Sequence, residues 1–254
     1  MKAVKKFLKQ QFHRALLKVF RRLGNRNNYY LIRGNIEQAN RYTNPILNKP
    51  ESWFVDFGEC WFYSLDTVRY GTLELLSREI YEHEIEGSVA EVGVFQGIFA
   101  SAINNYFPDR KLYLFDTFEG FDERDVQIDR QMGYGTQSYH DFSNTTIDLV
   151  LSRMSHQEKA IVKKGWFPES ASGCEDEKFC FVSLDADLYQ PIYAGLCWFY
   201  PKLAHGGYIM VNDYNIDNYP GAKKAVREFA KNNSISYIAL PDMGGSVVIG
   251  KPLL

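Results

Sequence analysis

The chain has 254 residues, 45% of them hydrophobic and 24% charged, a size and balance that suit one large α/β domain carrying an appendage. Its net charge of −2 hides an uneven distribution. Residues 1–26 hold nine Lys/Arg and no acid, so the rest carries 20 basic against 31 acidic residues, a net of −11, which excludes nucleic acid as the main partner.

From Met1 to Gly24, Val4, Phe7, Leu8, Phe12, Leu16, Val19, Phe20 and Leu23 recur at helical spacing among lysines and arginines, predicting a basic amphipathic helix over 1–26. Such a helix suits peripheral contact with an anionic membrane surface through residues 1–24. The plainer alternative is packing on the acidic body or on a second subunit, and a homo-oligomer is the expected assembly. No apolar run reaches the roughly 18 residues of a membrane-spanning helix. Cys60, Cys174, Cys180 and Cys197 lack metal-ligand spacing and read as reduced thiols of a cytoplasmic protein.

Residues 27–84 form an aromatic-rich arm with breakers at Asn44-Pro45 and Lys49-Pro50, leading into one or two helices between Cys60 and Glu84. This arm is expected to help shape the lid and acceptor site of the main domain, residues 85–254. From Val89 the pattern alternates strand and helix. Strands are predicted at 89–94, 111–115, 160–163, 179–184 and 207–211, with a final pair near 235–240 and 246–249 joined through Gly244-Gly245. The fold class is α/β: a doubly wound, mostly parallel seven-stranded sheet of Rossmann-like type, with one late strand antiparallel and an N-terminal helical extension.

The first strand contains Glu91 and runs into Gly93 and Gly97 before a helical stretch, Ile98 to Tyr106. Glycines at that junction let backbone approach a nucleotide-type ligand. Asp116, at the tip of the second strand, is placed to accept from a ribose hydroxyl pair. Residues 119–144 then break the rhythm with a long polar, glycine-containing stretch read as a lid over the ligand end. His140 lies near its close, before a helix-capping cluster at 143–146. Further on, the fourth strand ends in Asp185-Ala186-Asp187 and the fifth in Asn212-Asp213-Tyr214. Alternation along a continued strand would project Asp185 and Asp187 to one side. Neighbouring parallel strands bring these tips to one edge, where Asp185, Asn212 and Asp213 offer hard oxygen ligands for Mg²⁺.

These blocks, with Phe115-Asp116-Thr117-Phe118-Glu119-Gly120, Lys164-Gly165-Trp166-Phe167, Asp185-Ala186-Asp187-Leu188-Tyr189 and Phe199-Tyr200-Pro201-Lys202-Leu203, occur in an order that resembles the macrocin O-methyltransferase family over about residues 52–250. The resemblance implies a methyl transfer from S-adenosyl-L-methionine to a hydroxyl, of a sugar in a glycan or glycosylated metabolite. It implies that Glu91, Gly93 and Gly97 line the methionine side of the cofactor and that Asp116 holds its ribose. Phe95, Thr117, Gly165, Trp166 and Asp185 complete the implied cofactor contacts. Asp185 and Asp213 would bind Mg²⁺, and Asp187, or else His140, would act as general base, with Asp185 beside them in the catalytic set. The chain departs from the pattern at Asn212, where relatives with a metal carry a second consecutive acid. Two rival readings are an NAD-dependent oxidoreductase, against which the missing G-x-G-x-x-G counts, and an inactive membrane-associated binding protein.

Overall fold

The structure, a computed structural model, describes residues 66–253. The expected basic helix, the arm as far as residue 65 and Cys60 lie outside the described residues. Chain order is α1 (Thr67–Glu82), β1 (Ser88–Val92), α2 (Ile98–Tyr106), β2 (Leu112–Asp116), α3 (Glu123–Gln131), α4 (Ile147–Ser152) and β3 (Ala160–Lys164). It continues through β4 (Phe179–Leu184), α5 (Tyr189–Lys202), β5 (Leu203–Val211), α6 (Pro220–Asn233), β6 (Ile238–Ala239) and β7 (Val247–Gly250).

The strands form one seven-stranded sheet in the order β3-β2-β1-β4-β5-β7-β6. All pairings are parallel except those of β7, which runs antiparallel between β5 and β6. The expected topology is the observed one, and the antiparallel member is the strand that follows Gly244-Gly245. Strand order reverses direction between β1 and β4, and an open α/β sheet receives its ligand in the crevice at such a switch point.

β1 and β4 are buried along their whole length, because helices cover both sheet faces, so they read as apolar runs rather than alternating patterns. On β2, Leu112 and Leu114 enter a core shared with Leu73 and Ile80 of α1 and Ile103 of α2, while Tyr113 and Phe115 enter the opposite core with Leu196 and Phe199 of α5 and Val226 of α6. Phe199, fully buried, has the rings of Phe115, Phe167 and Phe179 at centroid distances of 5.8, 5.7 and 5.0 Å.

Three local expectations change. The stretch 119–144 is not irregular throughout but contains α3, whose N-cap Asp122 accepts from the Arg124 amide at 3.0 Å. With Val126 as its buried apolar anchor beside buried Asp125 and Asp129, this helix lacks the apolar stripe that would announce it. β4 stops at Leu184, and a turn places Asp187 at φ 59°, so strand alternation is not what orients the two aspartates. β6 shrinks to two exposed residues, since Ile238 is 70% exposed and little apolar surface holds that edge. The capping cluster behaves as read: Thr146 accepts from the Leu149 amide at the start of α4.

Candidate functional site

The site grows from the ends of β1, β2, β4 and β5. Just past β1, Gly93 has φ 83°, and a Cβ there would lie 2.1 Å from the Asp185 carbonyl oxygen. Only glycine allows the β1 and β4 loops to meet this closely. Asp116 organises the same loop. Its Oδ2 accepts from the Val94 and Phe95 amides at 2.6 and 2.9 Å, and its Oδ1 accepts from the Phe118 amide at 2.7 Å. Burial pushes the Asp116 pKa up, and these three N–H groups pull against that rise. Three of about four lone-pair positions are thereby taken by backbone, so Asp116 sets the shape of the cradle and has about one position left for a ligand hydroxyl.

A cavity of about 340 Å³ opens at this edge. Glu91, Gly93, Phe95, Asp116, Thr117, Gly165, Trp166, Asp185, Asp187, Asn212 and Asp213 line it, so the structure brings together nearly every residue singled out above. Gly97 and His140 are not among the lining residues. Gly97 is instead the N-cap of α2 with φ 77°, packed against Val150. His140 is exposed and rests on Tyr139 at a centroid distance of 4.1 Å.

Among the lining residues that carried no clear signal in the sequence are Arg69 and Tyr70 from α1, Asp125 from α3, and Tyr219. Helix α1 starts at the N-cap Asp66, whose Oδ1 accepts from the Arg69 amide at 3.1 Å and whose Oδ2 accepts from the Met243 amide at 2.7 Å. That double acceptance sets the first turn of α1 beside the site. The sequence clue was the capping residue Asp66 two positions before the helical run continues from Val68.

Electrostatics divide the cavity. Glu91 is 1% exposed, with Oε1 3.3 Å from the Ser183 hydroxyl that donates to it, while Oε2 is buried without a hydrogen-bond partner. Burial first, then the negative Asp185, hold its pKa well above the usual carboxylate range. An orphaned acidic oxygen of this kind suits a ligand bearing an ammonium group, such as the methionyl end of S-adenosylmethionine. Asp125 accepts from Trp166 Nε1 at 2.9 Å through Oδ2, its Oδ1 is unpartnered, and burial lifts its pKa to about 7. Asp187 and Asp213 line the same cavity. Burial and neighbouring Asp185 raise both, Asp213 to about 6 and Asp187 well above the ordinary range.

Two of the three side chains expected to hold Mg²⁺, Asp185 and Asn212, are already engaged. Asp185 Oδ2 accepts from Arg69 Nη2 at 2.8 Å, and its Oδ1 accepts from the Asn212 amide nitrogen at 2.8 Å. Asn212 Oδ1 accepts in turn from the Ser246 hydroxyl at 2.9 Å. Among the described residues no group of three or more His, Cys, Asp or Glu side chains is arranged to hold a metal ion. This donor set does not fit the metal centre implied by the resemblance, because a guanidinium and an amide nitrogen sit on the carboxylate that a cation would need.

A doubly wound sheet with a glycine cradle, an acidic strand tip and a cavity at the switch point defines a nucleotide-cofactor-binding α/β protein. The sequence profile of the macrocin-O-methyltransferase (TylF) family matches residues 63–240, and the chain belongs to that family. It is 28% identical over 170 residues to mycinamicin III 3''-O-methyltransferase of Micromonospora griseorubida, a match covering 60% of this chain and 63% of that relative. It is 25% identical over 183 residues to 8-demethyl-8-(2,3-dimethoxy-alpha-L-rhamnosyl)-tetracenomycin-C 4'-O-methyltransferase of Streptomyces olivaceus, covering 66% of this chain and 67% of the other. The first match thus spans less than two thirds of the relative's length. The fold is also that of the O-methyltransferase NovP, with a TM-score of 0.61 at 22% identity over 73% of this chain and 80% of that one. Among the described residues no helix is long and apolar enough to cross a membrane.

Proposed function

We propose that the protein is an S-adenosylmethionine-dependent O-methyltransferase whose acceptor is a hydroxyl of a sugar, carried on a glycan or a glycosylated metabolite. The observation that carries the reading is the buried, unpartnered Glu91 Oε2 beside the Gly93 cradle, a seat for an ammonium-bearing cofactor within a family of O-methyltransferases. When bound, S-adenosylmethionine supplies a methyl group made electrophilic by its sulfonium. The chain's share of the work is placement. Glu91 takes the amino group, the Asp116-braced loop takes the ribose side, and Gly165 and Trp166 flank the cavity near Asp125. In-line displacement depends on such positioning for much of its rate.

Asp187 is the base we assign to the acceptor hydroxyl, because it lines the cavity, whereas His140 lies outside the lining. The hydroxyl proton passes to the Asp187 carboxylate as the oxygen bonds to the methyl carbon and the sulfur–carbon bond breaks. Residues 1–24 and a cytoplasmic position at the inner membrane face, where lipid-linked glycans are assembled, complete the reading. Deleting residues 1–24 and fractionating membranes checks that part, with unchanged fractionation counting against it.

The test of activity is incubation with methyl-labelled S-adenosylmethionine and a panel of nucleotide sugars and oligosaccharides. Label should appear on a sugar oxygen, and S-adenosylhomocysteine, but not NADH, should raise the melting temperature. Stabilisation by NADH alone would overturn the assignment.

A further inference from the structure

We propose that the guanidinium of Arg69 takes the place of the divalent cation in this site, so that the protein carries out its chemistry without a metal. The inference rests on the methyltransferase reading for the reaction, and on the geometry around Asp185 for the cation's replacement. Arg69 Nη2 lies 2.8 Å from Asp185 Oδ2, and the Arg69 side chain is only 13% exposed. Its guanidinium carbon sits 3.9 Å above the centroid of Phe99, a ring face that favours a cation. Helix α1 holds the base of this side chain through Asp66, which is tied to Met243. Arginine stays charged at any working pH, so the positive charge is permanent.

Asn212 completes the arrangement. Its amide nitrogen donates to Asp185 Oδ1 while its oxygen accepts from buried Ser246, whose amide is itself fixed on Asp242 Oδ1. An aspartate at 212 would present an acceptor to Asp185 and repel it. Asparagine there is therefore matched to a carboxylate already neutralised by a guanidinium, as two consecutive acids would be matched to Mg²⁺. Seven carboxyl groups (Glu91, Asp116, Asp122, Asp125, Asp185, Asp187 and Asp213) line the cavity, and Arg69, paired with Asp185, is the one cationic side chain among the lining residues. Arg69 acts as a positioning residue: it fixes Asp185 and supplies the field of a cation, without the Lewis acidity of a metal.

The test compares the full-length wild type with Arg69→Gln, Arg69→Lys and the double change Arg69→Gln/Asn212→Asp. Mn²⁺ binding is followed by electron paramagnetic resonance, S-adenosylhomocysteine affinity by calorimetry, and methyl transfer with and without EDTA. The wild type should bind no Mn²⁺ at millimolar concentration and turn over equally in EDTA. Arg69→Gln should lose about a hundredfold in kcat. Arg69→Lys should keep more of the activity and remain indifferent to EDTA. The double variant, with Asp185 released and a second acid restored, should acquire Mn²⁺ binding. Mn²⁺ bound by the wild type, wild-type turnover abolished by EDTA and restored by Mg²⁺, or a folded double variant that takes up no Mn²⁺ would each overturn the proposal. Failure of the methyltransferase reading shows differently, as absence of both S-adenosylhomocysteine binding and transfer, and leaves the Mn²⁺ titration to judge Arg69 by itself.

Discussion

Replacing Glu91 by Gln separates two effects of one buried carboxyl. The amide keeps the shape and the contact with Ser183, so packing in β1 is little disturbed. What changes is charge. With cofactor bound, the unpartnered Oε2 is expected to accept from an ammonium, a charge-assisted bond worth about 1.5–3 kcal/mol. Glu91→Gln should therefore weaken S-adenosylhomocysteine about 10- to 150-fold, measured by calorimetry without any acceptor present. The apo protein should respond in the opposite sense. The folded pKa of Glu91 is raised above its ordinary 4.5, so the stability it contributes is complete below that value and is lost as pH rises through the folded one. Each pH unit in that window costs the wild type about 1.4 kcal/mol, or roughly 3–6 °C in melting temperature for a domain of this size, and the glutamine variant is spared it. A melting-temperature gap that widens from acid to alkaline pH is the expected record. Unchanged S-adenosylhomocysteine affinity would refute the ammonium contact, and a gap independent of pH would refute the role given to burial.

Asp125→Asn should flatten the pH dependence of stability further. With a folded pKa of about 7 against an ordinary 3.8, the wild type loses on the order of 4 kcal/mol as pH rises across that window, and denaturant melts at pH 5 and pH 8 should show the difference shrink by about 3 kcal/mol in the variant. Gly244→Ala should lower kcat about tenfold with a smaller effect on melting. Its Cβ would lie 2.7 Å from Asn212 Oδ1 and 2.8 Å from Asp213 Oδ1, on two residues that line the cavity, and kinetics alongside thermal melts separate the two effects. Phe199→Ala should cost about 3–5 kcal/mol by opening a cavity among Phe115, Phe167 and Phe179, read as a lower denaturation midpoint.

The sheet was legible because its strands announce themselves locally. β1 and β4 are mostly apolar runs, interrupted by Glu91 and Ser183 and followed by glycine or acids, and helices come after them at regular intervals. α3 was hidden by its composition: a helix pinned by Val126 and two buried aspartates offers no apolar period to read. The strand tips were equally legible as a site, since parallel topology alone brings Asp116, Asp185 and Asp213 to one edge. Their partners were not. Nothing near Arg69 marks it as the neighbour of a carboxylate 116 residues away, and nothing near Asn212 shows that its donating side meets Asp185. Asp116 shows the same limit. Its place at a strand tip was plain, but the backbone amides of Val94, Phe95 and Phe118 that occupy it belong to tertiary closure.

The bond from the Met243 amide to Asp66 spans 177 positions of sequence and has a practical consequence for dissecting the chain. Helix α1 precedes the first strand, and a boundary at residue 85 would discard it as an appendage. Yet its Leu73 and Ile80 are fully buried among residues of the sheet, and its first turn supplies a wall of the cavity. A fragment that retains the whole lining of this cavity, with its Asp66 tie, must therefore begin no later than Asp66. A fragment trimmed to the alternating strand–helix portion would uncover part of that core and leave Asp185 without the guanidinium of Arg69.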